Sequence, residues 1–196
     1  MAIYPLPEYG KPVRILNFFP GFMAYTNNMP LALAHELYYE SERWDQTGAT
    51  FPMAMPLNRD DIRMHFTFEQ GRNKGEFWIR HVNSGQCLGI SEGYYTAPEY
   101  DRGLGIVFAQ YEQDNIDWFI DGHNYDMIAH IGRARENGKD DDSTMYFLEA
   151  TPIWSSSLGD AVHVNSLKDG SAYVDVYMHP FSEGGSPNQR WTWEYV

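Results

Sequence analysis

Residues 13–26 lie over residues 77–90 without a gap, at an offset of 64 (77 minus 13). In both windows apolar residues recur at every second position, Val13 and Ile15 in one and Phe77 and Ile79 in the other. Each run then meets a turn carrying Gly21 or Gly85, and a second short strand begins. Two-residue alternation broken by a glycine turn is the pattern of a β-hairpin with one buried face. A hairpin used twice in one chain cannot bury that face alone, so its copies must pack on one another. Repetition therefore constrains the fold more than any single strand does.

Closing segments repeat as well. Met53-Ala54-Met55-Pro56-Leu57 leads to Met64-His65-Phe66-Thr67-Phe68, and Val107-Phe108-Ala109-Gln110-Tyr111 leads to Asp117-Trp118-Phe119-Ile120. Val174-Asp175-Val176-Tyr177-Met178-His179 leads to Arg190-Trp191-Thr192-Trp193. Each copy alternates, breaks at a polar turn and resumes on a large aromatic residue, as half-buried strands require. The closing aromatics Phe66, Trp118 and Trp191 are separated by 52 (118 minus 66) and 73 (191 minus 118), so the third unit carries an insertion. Residues 133–144 form a charged, Gly-containing loop and residues 153–160 a Ser-rich turn. The third unit's opening strand is expected around residues 125–131. Residues 31–40, an insertion in the first unit, read equally as a short helix or an extended arm.

The 196 residues fit one domain, 1–196, with repeats at approximately 11–72, 73–122 and 123–196. Aromatic residues make up 16% of the chain, and 17 Gly with 11 Pro supply the turns that many short strands need. A formal charge of -13 argues against nucleic acid or anionic membranes, which demand clustered Lys and Arg, and favours a neutral partner. The single cysteine, Cys87, excludes an internal disulfide framework and reads as a small core residue. The N-terminal segment lacks the basic start and apolar run of a signal peptide, and no stretch approaches about 18 apolar residues. The expected location is the cytoplasm, or outside the cell by release without a signal peptide.

The run from Ile79 to Leu88, ending Ser84-Gly85-Gln86-Cys87-Leu88, resembles the opening of a ricin-type lectin repeat. Asn188-Gln189-Arg190-Trp191-Thr192 resembles its closing Gln-x-Trp signature, and Asn115-Ile116-Asp117-Trp118 occupies the same place in unit two. The resemblance covers roughly residues 13–196. It implies an all-β fold, the β-trefoil: three pseudo-symmetric repeats forming a six-stranded barrel with a hairpin cap, here with long loop insertions. It also implies that Trp118 and Trp191 are core residues rather than ligand platforms.

Lectins of this family hold a sugar in a shallow pocket of each repeat. They use a carboxylate after the Cys-Leu turn, an aromatic ring under the sugar's apolar face, and the Asn of the closing motif. A carboxylate accepts hydroxyls through charge-assisted bonds, and a flat ring covers C–H groups. Here the position after Cys87-Leu88 is Gly89, and the gapless alignment puts Tyr25 there in unit one, so the familiar carboxylate is missing from both. The implied carbohydrate-binding residues are Glu92, Gln110, Tyr111 and Asn115 in unit two, and Asp175, Tyr177, His179 and Asn188 in unit three.

Other chemistries find no support. The seven histidines show no His-x-x-x-His or His-x-His spacing, and there is no Gly-x-Ser-x-Gly elbow, phosphate-cradling glycine loop or dinucleotide fingerprint. Cys87 beside His81 has nothing identifiable to activate its thiol. The acidic run Asp140-Asp141-Asp142 lacks the spacing of a calcium loop. The expectation is a non-enzymatic lectin that needs no cofactor or metal and binds glycans or glycoproteins. Its sites would act multivalently, and its aromatic content points to a homodimer. The rival is a trefoil that binds protein through its long loops, such as a protease inhibitor or a toxin component.

Overall fold

The computed structural model describes residues 6–18, 28–35, 52–90, 106–109, 116–120, 128–131, 134–136, 139–141, 145–151, 153–154, 162–163, 165–166, 171–180 and 187–196. Pairing sorts their strands into three units. Unit one holds β1 (Val13–Asn17), β2 (Leu31–His35), β3 (Pro52–Pro56) and β4 (Phe66–Gln70). Unit two holds β5 (Glu76–His81), β6 (Cys87–Ile90), β7 (Ile106–Ala109) and β8 (Trp118–Ile120). Unit three opens with β9 (Ile128–Ile131), followed by β10 (Ala134–Glu136), β11 (Lys139–Asp141) and β12 (Met145–Thr151). It continues through β13 (Ile153–Trp154), β14 (Val162–His163), β15 (Asn165–Ser166), β16 (Ala172–Pro180) and β17 (Trp191–Tyr195).

The barrel wall runs β17, β1, β4, β5, β8, β9, each strand antiparallel to the next. Three hairpins, β2–β3, β6–β7 and β12–β16, cap it, and the leading strand of each, β2, β6 or β12, also pairs with its unit's first strand, β1, β5 or β9. β3 pairs with β16 through Ala54 and Val174, and β7 packs against both, so the hairpins meet one another. Among the described residues no helix is long and apolar enough to cross a membrane.

Register identifies equivalent positions. Leu16 pairs with Ala32 as Arg80 pairs with Cys87. The offset is 64 on the first strand (80 minus 16) but 55 on the second (87 minus 32), so unit one's hairpin holds nine more residues (64 minus 55). Residues 31–35 are therefore strand β2, which resolves the helix-or-arm alternative for that part of residues 31–40. The charged loop expected in unit three contains the small hairpin β10–β11, and the Ser-rich turn opens on β13, which pairs with β14 just beyond it; both hairpins lie outside the main sheet. Register places Arg135 opposite Asp140 and Glu136 opposite Lys139, and opposite charges favour such pairing.

Each unit contributes matching residues to one core. Ile15, Ile79 and Ile128 come from the first strands, Leu33, Leu88 and Leu148 from the second, and the closing aromatics Phe66, Trp118 and Trp191 from the last. All are at most 1% exposed. Complete burial of a residue of this size contributes about 1.5–3 kcal/mol. The indole N–H of Trp118 donates to the Leu88 carbonyl at 2.9 Å, and that of Trp191 to the Leu148 carbonyl at 2.8 Å. The two tryptophans are therefore core residues whose polar edges are satisfied inside the barrel.

Candidate functional site

The equivalences locate one position in all three units. The residue after the buried second-strand leucine is Ala34 in unit one, Gly89 in unit two and Glu149 in unit three. Ala34, not Tyr25, is the counterpart of Gly89, because the extra residues in unit one's hairpin shift the second strand; Tyr25 itself lies outside the described residues. Glu149 was not singled out in the sequence. The tripeptide Phe147-Leu148-Glu149 matches Cys87-Leu88-Gly89 only once the third opening strand is anchored at Ile128–Ile131, and the insertion hides that anchor.

Glu149 is half-buried on β12, with its carboxylate gripped from both sides. The Asn188 side-chain amide donates to Oε1 at 2.8 Å and the Gln189 side-chain amide donates to Oε2 at 2.8 Å. Both amides come from a 3₁₀ turn, Pro187–Gln189, that leads into β17. The turn is pinned from unit one. The Asn17 side chain, fully buried, donates to the Asn188 and Arg190 carbonyls, each at 2.9 Å. The Trp191 indole fixes the same segment to β12. A charged acceptor thus sits beside a preset pair of amides, and amide donors to a carboxylate are stronger than bonds between neutral groups. Asn188 is 7% exposed, and its Oδ1 has no hydrogen-bond partner among the described residues. That oxygen is itself closed to solvent, so the acceptor this edge offers a hydroxyl is the carboxylate of half-buried Glu149.

Of the residues expected in unit three, Tyr177 stands directly opposite Glu149 in register, His179 opposite Phe147 and Asp175 opposite Thr151. Register therefore gathers Tyr177, Glu149 and Asn188 around the junction of β12, β16 and the closing turn. Asn188 is a buried residue whose amide is committed to Glu149. Glu92, Gln110, Tyr111 and Asn115 lie outside the described residues. The Gln-x-Trp glutamine occurs in unit three only, since the positions two before Phe66 and Trp118 are the buried Met64 and Ile116.

Two other chemistry-bearing features are part of the packing. Cys87 is 2% exposed, and burial pushes its thiol pKa up, away from a reactive thiolate. His35 and His81, on different units, stack with ring centroids 4.3 Å apart and planes 12° from parallel. Among the described residues no group of three or more His, Cys, Asp or Glu could hold a metal ion.

No protein-family model matches the chain, and no curated protein sequence matches it. Its shape is similar to that of a designed 3-fold symmetric protein, ThreeFoil, at TM-score 0.52 and 13% identity, over 94% of this chain and 99% of that one. It is similar to the Macrolepiota procera ricin B-like lectin in complex with lactose, at TM-score 0.50 and 13% identity, over 98% and 100%. It is also similar to the β-trefoil BEL, at TM-score 0.52 and 11% identity, over 100% of both chains. The fold is a β-trefoil.

Proposed function

We propose that this chain is a non-enzymatic carbohydrate-binding protein whose best-supported site lies in unit three, at Glu149 and Asn188 with Tyr177 opposite Glu149 in the sheet. The observation that carries the reading is the Glu149 carboxylate held between two side-chain amides on a pinned turn. Neutral glycans present vicinal hydroxyls, and such a carboxylate accepts them without the reorganisation that a free surface acid would need. A structural neighbour, the M. procera lectin, is in complex with lactose. The acidic chain also suits a neutral ligand.

A glycan array with the purified chain tests the reading, followed by calorimetry on the best ligand. Glu149→Gln keeps the shape of the side chain but loses the charge, so affinity should fall about ten- to a hundredfold, the value of a charge-assisted bond. The absence of binding to every neutral sugar at millimolar concentration would overturn the proposal. One ligand per chain is expected if unit three alone is competent, whereas two would bring in Glu92, Gln110, Tyr111 and Asn115. One observation favours a second reading, in which the chain binds protein: the hairpins β10–β11 and β13–β14 stand outside the main sheet. A protease-inhibition panel tests that alternative.

A further inference from the structure

We propose that the stacked pair His35 and His81, with Ser84 and Gln86, is a proton-sensitive latch between units one and two, opening on acidification while the junction between units three and one stays shut. His35 ends β2 of unit one, His81 ends β5 of unit two, and they are 2% and 0% exposed. The ring of His81 is bound at both nitrogens. Nε2 lies 3.0 Å from the Ile62 carbonyl, which can only accept, so Nε2 carries the hydrogen. Nδ1 is then an acceptor, taking the Ser84 backbone N–H at 3.2 Å and the Ser84 hydroxyl at 2.9 Å. His35 Nε2 meets the Gln86 Oε1 on the same turn, at 2.5 Å.

A second proton on His81 must go to Nδ1, where the Ser84 amide already points its own hydrogen. It would also create a cation 4.3 Å from a second imidazole in a buried site. Among the described residues the titratable groups that bear on His81 are His35 from β2, and His65 and Asp61 from the ends of the 3₁₀ turn Ile62–Met64. His65 opposes the charge, and Asp61, which favours it, is already paired with Arg63 at 2.7 Å. Among the described residues, Phe66 of β4 and Phe108 of β7 also lie against the His81 ring and carry no charge. Burial, reinforced by His35, lowers the His81 pKa from 6.5 to about 4. The unfolded chain therefore takes up a proton below about pH 6.5 that the closed latch refuses until about pH 4. Stability from the closed latch is complete above pH 6.5 and falls by up to tenfold in the closed-to-open ratio for each pH unit below it. Unit one offers the contrast, because the residue equivalent to His81 is Asn17 (81 minus 64), whose amide holds the Asn188 and Arg190 carbonyls and does not titrate.

Hydrogen exchange on the full chain between pH 7 and pH 4, corrected for intrinsic rates, tests the latch. The amides of Ser84 and Gly85 should lose at least tenfold in protection, while those of β1 paired with β17 keep theirs. His81→Asn, the residue that unit one uses, should make the Ser84 and Gly85 protection independent of pH. Should that variant not fold, His35→Gln should weaken the pH dependence, and an NMR titration of the intact protein should place the His81 midpoint well below 6.5. Unchanged Ser84 and Gly85 protection down to pH 4 would overturn the proposal, as would an ordinary His81 midpoint or an equal pH dependence in the folded variants.

Discussion

At the scale of the residue, two jobs within one closing motif fall to different side chains. Trp191 serves the fold: it is buried and its indole satisfies the Leu148 carbonyl. Asn188, three residues earlier, serves the carboxylate on the neighbouring strand. Trp191→Phe should cost about 1–3 kcal/mol in urea unfolding, because a buried carbonyl loses its donor. A loss below about 0.5 kcal/mol would mean that the indole bond contributes little. In unit one Phe66 fills the same place without an N–H, so a buried ring is common to all three units and the indole bond to two. The recurrence of these rings was legible in the sequence after alternating strands, and the burial of Trp118 and Trp191 was what the lectin-repeat resemblance implied. Glu149 was not, because nothing in its own neighbours marks an acid that two distant amides will grip.

At the scale of the element, the hairpins are set by turns. Gly85 closes β5–β6 with φ at 72°, a left-handed conformation, and its N–H donates to the His81 carbonyl at 2.9 Å. A Cβ there would meet nothing within 4 Å, so the cost of Gly85→Ala is conformational alone, about 1–2 kcal/mol. Gly85→Asn should cost less than Gly85→Ala, because Asn tolerates left-handed backbone. Chemical denaturation of both variants checks the order. Equal losses would point to a steric cause. Alternation correctly located β1, β3, β4, β5, β7, β8, β16 and β17 to within a residue or two. It misplaced β2, whose Leu31-Ala32-Leu33-Ala34 is apolar at every position and buried throughout, so no two-residue period exists to be read.

At the scale of the whole molecule, the barrel ties the ends of the chain together. β1 pairs with β17 over five residues and also with β2 and β4, so unit one cannot open without unpairing unit three. At pH 7 the protected amides of β1 and β5 should therefore exchange with one global free energy. Values more than about 1 kcal/mol apart would indicate units that unfold separately.

Spacing and residue type were enough to read the repeated hairpin, the all-β class and the recurrence of the closing aromatics. These are local or periodic properties, written in spacing and residue type. The tertiary structure alone decided which second strand belongs to which first strand across insertions of unequal length. With that pairing it set Glu149 against Asn188 and Gln189, 39 and 40 residues away, and stacked His35 on His81 across two units. Those contacts depend on register between strands far apart in the chain, and register is fixed only when the whole barrel closes.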